Sequence, residues 1–226
     1  MRKMSKKYKE ALNKYNPSEV YDLEKSIEVV KEMAYAKFDE TVEISLRLNL
    51  KKSHTVRDTV VLPNSFGKEK KILVFVKADK VKEAMDAGAA YAGDEEYIQK
   101  VKDGWIDFDV VIATPDMMKD VGKLGPVLGR RGLMPNPKTG TVTTDIKATI
   151  AELKKGRVEF RADKTGIVHL GVGKVSMKKE QLKENIKVLF DEVVRKKPAD
   201  LKGDYIGSLY VSSTMSPGVQ VNTKNI

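Results

Sequence analysis

Cysteine is absent from the 226 residues. That excludes disulfides, thiolate metal sites and a cysteine nucleophile. Histidine occurs only at His54 and His169, too few for a multi-histidine metal centre. No apolar run approaches the roughly 18 residues of a membrane span. The N-terminus is basic, but Met4 to Tyr15 holds no continuous apolar stretch, so it does not read as a secretory signal. The expectation is a soluble, cytoplasmic protein with no metal, no cofactor and no membrane partner. What is present completes the class. Hydrophobic residues make up 41%, enough for a packed core and too many for a wholly disordered chain. The length suits one large domain or two small ones.

Lys and Arg exceed Asp and Glu, 42 against 32, for a net charge of +10. Such a balance favours an anionic partner, nucleic acid before a membrane surface, although a lysine-rich solvated surface gives the same total. The excess is spread: +3 over residues 1–66, +3 over 67–157 and +4 over 158–226. One local run, Arg2, Lys3, Lys6, Lys7 and Lys9, faces the single acid Glu10. It fits either a phosphate-binding arm or a solvated helix start.

Periodicity divides the chain. Leu23, Ile27, Val30 and Ala34 form a helical stripe over 22–36, with Asp22 at its start. Val42, Ile44, Leu46, Leu48 and Leu50 alternate with polar residues, as in a half-buried strand. A second strand, Thr59 to Leu62, stops at Pro63. After Gly67 the pattern changes. Ile72–Val76 and Val110–Ala113 are continuous apolar runs separated by helical segments near 79–87 and 95–102, and a helix follows near 145–155. That is the pattern of a doubly wound parallel sheet. Beyond Gly156 alternation returns at Val158–Arg161 and Ile167–Val172. A helix fits 178–196, and strands at Leu209–Val211 and Val219–Val221 close the chain. The expected fold class is α/β and α+β. A discontinuous α+β domain, 1–67 plus 157–226, carries an inserted α/β domain at 68–156, with Gly67 and Gly156 as hinges.

Enzyme signals are weak. The turn after Val76 reads Lys77-Ala78-Asp79-Lys80, without the glycines that let a backbone approach a pyrophosphate. Gly171-Val172-Gly173-Lys174 lacks the Ser or Thr and the upstream glycine of a phosphate loop, and reads as a plain turn. Asp107, Asp109 and Asp116 flank a strand, where acids can hold a metal, but Thr114-Pro115-Asp116 looks like a helix cap. An enzyme using the inserted domain on a nucleotide or phosphorylated ligand stays as the alternative.

Two constellations point to nucleic acid. Residues 122–140 are rich in Gly and Pro and carry Lys123, Arg130, Arg131 and Lys138 with no acid. A stiff, irregular, cationic loop suits phosphate contacts; a solvated surface loop is the plain alternative. The second is a patch formed if two strand ends meet: Lys37 and Phe38, then Thr41 and Glu43, with Ser208, Tyr210 and Ser212 running into Thr214-Met215-Ser216. A cation, an aromatic ring, a thioether and hydroxyls suit structured RNA. Phe38 and Met215, taken singly, fit a core equally well.

The run Ala36-Lys37-Phe38-Asp39-Glu40-Thr41-Val42-Glu43, the segment 122–136, Val158-Glu159-Phe160-Arg161 and Ser213-Thr214-Met215 resemble bacterial large-subunit ribosomal protein one, the side-stalk family, over essentially the full chain. The resemblance implies a Rossmann-like inserted domain and a non-enzymatic monomer within the ribosome. It implies binding to the stalk region of large-subunit rRNA, help to deacylated tRNA leaving the exit site, and repression through the protein's own mRNA leader. Carried over by motif, the RNA contacts are Lys37, Phe38, Thr41, Glu43, Ser212, Thr214, Met215 and Ser216, with Lys174 in a turn as a weaker one. Glu43 would accept hydrogen bonds from Thr214 or from ribose hydroxyls. Weaker second-domain contacts are Lys123, Arg130, Arg131 and Lys138. Two positions depart from the family pattern: Ser216 stands in a Gly place and Arg130 in a Pro place. If the backbone at 216 must come close to a ribose or take φ > 0, a side chain costs on the order of 1 kcal/mol, and Ser216→Gly should leave binding equal or tighter.

Overall fold

The computed structural model describes residues 5–51, 54–67, 70–201 and 203–226. Arg2 and Lys3 of the basic run lie outside these residues. In chain order the helices are α1 (Lys6–Leu12), α2 (Leu23–Met33), α3 (Ala78–Asp86), α4 (Glu95–Lys102), α5 (Met118–Val121), α6 (Gly125–Leu128), α7 (Ile146–Lys154) and α8 (Lys179–Arg195). The strands are β1 (Thr41–Leu48), β2 (Arg57–Val61), β3 (Ile72–Phe75), β4 (Tyr91–Gly93), β5 (Val110–Ala113), β6 (Arg157–Arg161), β7 (Ile167–Lys174), β8 (Ile206–Ser213) and β9 (Val219–Val221). The fold is mixed, with helices and sheets throughout. It divides into two compact units, residues 1–66 with 158–226, and residues 67–157.

The first unit is built on a sheet of order β7-β1-β8-β9, with β1 antiparallel to both neighbours. Strict alternation in β1 decides its two faces. Val42, Ile44, Leu46 and Leu48 are buried, whereas Glu43 and Arg47 are exposed. The apolar face packs with Ile27, Val30 and Met33 of α2 and with Leu182, Ile186, Leu189 and Val193 of α8. Each such side chain contributes about 1.5–3 kcal/mol by leaving water. The buried Asn185 amide of α8 donates to the carbonyls of Val172 and Asn64 (2.7 and 2.9 Å), so its polarity is satisfied within the core. Helix α2 ends three residues earlier than its periodicity predicts. Ala34 is extended (φ −63°, ψ 123°), and the amides of Tyr35 and Ala36 turn instead to the Glu40 carboxylate.

The second unit holds a parallel sheet of order β4-β3-β5. All four residues of β3 are buried because successive side chains feed opposite cores. Leu73 and Phe75 join Ile98 and Val101 of α4 with Leu124 and Leu128. Ile72 and Val74 join Ala84 of α3 and Ile150 and Leu153 of α7.

Three local readings are corrected. The first half of 122–140 is not an open loop. It coils through a 3-10 turn, Gly122–Leu124, into α6, and Leu124 and Leu128 are fully buried. Gly122 and Gly125 lie in the right-handed helical region, so glycine here does not break the helix. Lys174 does not sit in a turn but ends the eight-residue strand β7. The glycines there make room rather than bend the chain: a Cβ on Gly173 would stand 2.3 Å from Cδ2 of Leu182. Pro115 does open a 3-10 turn with Thr114 before it, but the Thr114 side chain makes no capping bond.

Candidate nucleic-acid interface

The polar face of the first unit's sheet is set by strand register. Glu43 lies opposite Ser212, Ser45 opposite Tyr210 and Arg47 opposite Ser208 on β8. On the other side Thr41 lies opposite Lys174 and Ser45 opposite His169 of β7. The two strand ends supposed to meet do meet. The amide of Thr41 donates to Oγ1 of Thr214 (3.0 Å), which in turn donates to the carbonyl of Thr41 (3.4 Å). Lys174 Nζ donates to Oγ1 of Thr41 at 2.7 Å. One end of the sheet thus gathers Lys174, Thr41, Thr214, Ser212 and Glu43.

The segments before β1 and after β8 supply the apolar part. Phe38 is 56% exposed and Met215 47% exposed, so neither belongs to the core. The Met215 backbone and the residues flanking Phe38 are nonetheless held. Glu40 is buried (1% exposed). Its Oε1 accepts from the amides of Tyr35 (3.0 Å) and Ala36 (2.8 Å). Its Oε2 accepts from the Ser213 hydroxyl (2.5 Å) and the Met215 amide (3.0 Å). The Tyr35 hydroxyl donates to the carbonyl of Met215 (3.1 Å). Burial pushes the Glu40 carboxyl upward, but the four donors outweigh it and leave its pKa below the ordinary 4.5. Asp39 fixes the third segment by accepting from the amide and hydroxyl of Ser176 (3.1 and 2.7 Å).

Of the two donors expected for Glu43, Thr214 is ruled out, because it is engaged by the Thr41 backbone. Exposed and without an ion pair among the described residues, Glu43 is an acceptor turned to solvent. Lys37 is likewise exposed. Ser216 does not take a positive φ; among the described residues only glycines do. Its hydroxyl accepts from the Ser213 amide (3.0 Å). Ser216 therefore carries no backbone strain that glycine would relieve.

The second unit differs in kind. Arg130, Arg131 and Lys138 are exposed around the 122–140 segment. Lys123 pairs with Asp120 at 2.8 Å, an acid just outside the acid-free stretch. Asn136 organises the far half: its carbonyl accepts from both Thr139 and Thr141 hydroxyls. Asp107 and Asp109 bind no neighbouring acid. They accept from the Lys71 ammonium and amide, respectively. Among the described residues no cluster of His, Asp and Glu could hold a metal ion, and no helix is long and apolar enough to cross a membrane.

The profile of the Ribosomal protein L1p/L10e family matches residues 30–217. The chain belongs to that family. The match spans both units and every residue of the interface. Large ribosomal subunit protein uL1 of Treponema denticola is 65% identical over 222 residues, covering 98% of each chain. The proteins of the same name from Borrelia hermsii and Treponema pallidum are 57% and 58% identical, covering 98–99% of this chain and 99% of theirs.

Within this L1p/L10e member, the structure brings together Lys37, Phe38, Thr41, Glu43, Lys174, Ser212, Thr214, Met215 and Ser216. Lys123, Arg130, Arg131 and Lys138 belong to the other unit. The residue that sequence reasoning missed is Glu40. It stood inside the motif 36–43 but was given no role. The available signal was an acid directly ahead of an alternating strand, at a position whose parity places it on the apolar face.

Proposed function

We propose that this chain is a non-enzymatic structural protein of the large ribosomal subunit, working in the cytoplasm as one copy per ribosome. Its 1–66 and 158–226 unit binds rRNA of the stalk region through the open end of the β7-β1-β8 sheet. The 67–157 unit is an inserted, Rossmann-like domain that adds weaker backbone contacts through Lys123, Arg130, Arg131 and Lys138. By membership of the family, the same protein helps deacylated tRNA leave the exit site and represses its own mRNA through a leader that imitates the rRNA site.

The observation that carries the rRNA reading is the joint exposure of Phe38 and Met215, the latter on a hydrogen-bonded backbone and the former between Ala36 and Glu40, which are bonded to each other. An exposed ring and thioether cost solvation unless a partner covers them. Here they stand among hydroxyls, a carboxylate and two lysines. Stacking surfaces, a ribose-hydroxyl acceptor and phosphate cations then occupy one patch, as single-stranded or junction RNA requires.

The test is a titration of the full chain with an rRNA fragment containing the stalk junction, beside a scrambled RNA of equal length. Both are run at low and at roughly physiological salt. A preference for the junction RNA that survives the higher salt is expected. Equal affinities that collapse together with salt would overturn the proposal and leave a basic protein that binds any polyanion.

A further inference from the structure

We infer that Glu40 is the positioning residue of the RNA face: its buried carboxylate sets the spacing between the Phe38 and Met215 segments, and so makes the face selective for a shaped RNA. The inference rests on the function proposed above and adds a residue that does not itself touch RNA.

A carboxylate offers about four lone-pair directions, and all four here are used. Two donors come from the segment before β1, one from the last residue of β8 and one from the segment that follows it. Those segments are separated by some 175 residues in sequence. Phe38 is two residues from Glu40 along one segment, and Met215 is itself one of the donors on the other. A single planar group therefore ties together the two backbone segments that carry the exposed apolar side chains. It also fixes Thr214, which lies between the donors Ser213 and Met215.

The negative charge matters as well as the shape. Three of the four partners are main-chain amides, which only donate. A glutamine of the same size would turn its amide NH2 toward one pair of donors. Ser213 can rotate its hydroxyl to accept, but the Met215 amide cannot. Glu40→Gln therefore frees the Met215 backbone specifically and keeps the packing volume. Asp39 does not substitute, since both its oxygens serve Ser176.

The experiment compares the intact wild-type chain, Glu40→Gln and Val30→Ala. Val30 is a fully buried core residue of α2 and serves as a control of lowered stability. Affinities for the stalk-junction RNA and for scrambled RNA of equal length are measured at a temperature where all three are folded by circular dichroism. Glu40→Gln should bind the junction RNA at least tenfold more weakly, with scrambled-RNA affinity and salt slope unchanged because no phosphate contact is lost. Val30→Ala should melt lower yet bind both RNAs as the wild type does. Junction-RNA affinity of Glu40→Gln within twofold of wild type would overturn the inference, as would an equal loss in Val30→Ala. Should Glu40→Gln not fold, Ser213→Ala, which removes one donor, should lower junction affinity about threefold; an unchanged affinity there is equally fatal. A wild type without preference for junction RNA would instead refute the function on which the inference rests.

Discussion

The two units carry their candidate RNA-binding groups in opposite ways. In the first, several groups of the patch rest on hydrogen-bonded neighbours: the Met215 amide on buried Glu40, Thr214 on the Thr41 backbone, Lys174 on the Thr41 hydroxyl. In the second, Arg130 and Arg131 follow a short-helix segment whose anchors, Leu124 and Leu128, face its own core, and Lys138 lies exposed in a turn held by Asn136. Charges on flexible stems attract phosphate at long range but read no shape. Groups held at fixed spacing lose little entropy on binding and can discriminate. Under the proposed function, selectivity would lie in the first unit and salt-dependent attraction in the second.

The largest effect should come from removing the clamp. Glu40→Ala leaves three main-chain amides and a hydroxyl without their acceptor. It should destabilise the first unit by about 3 kcal/mol, read from its urea midpoint. Smaller, but independent of RNA, is Gly173→Ala. A Cβ there meets Leu182, itself fully buried, and should cost about 1–3 kcal/mol by overpacking. A neutral result would mean that β7 and α8 are not packed this closely.

Acid should act through the same carboxylate. The folded pKa of Glu40 lies below its ordinary value of 4.5, so the unfolded chain takes up the proton first. This contribution is complete above the unfolded value and is lost as pH falls through the folded one. Wild type should lose stability below about pH 4.5 more steeply than Glu40→Gln, whose urea midpoints over pH 6 to 3 should be flatter. Ser216→Gly comes next in size. It removes the acceptor of the Ser213 amide and should cost about 1 kcal/mol. Junction-RNA affinity should be equal or slightly weaker, and tighter binding would show that this turn is not part of the clamp. At the far end of the scale, Asp120→Asn breaks the exposed Lys123 pair of the second unit and should leave the melting temperature unchanged.

Much of this was legible in the residues. The alternation of 41–48 gave both the strand and its polar face, because one side of the sheet is covered and the other is not. The continuous apolar runs at 72–76 and 110–113 gave a parallel sheet covered on both sides. The errors share a cause. Local propensity reads Gly173 and Gly125 as turn and loop formers. Tertiary packing decides them: Leu182 needs the space at Gly173, and Leu124 and Leu128 draw the 122–128 segment into a helix. Glu40 is harder to read for a related reason. Its parity places it on the apolar face, but two of its four donors, Ser213 and Met215, come from a strand end that lies far away in sequence.

The most direct test sets the two units against each other with one RNA. Affinity for the stalk-junction fragment, at roughly physiological salt, is measured for Phe38→Ala and for the double variant Arg130→Ala/Arg131→Ala. The first removes no charge and the second removes two positive ones. Loss of one stacking ring should weaken binding by at least tenfold, and more than loss of both arginines. The reverse order, with Phe38→Ala close to wild type, would contradict the claim that a fixed patch rather than net charge selects the RNA.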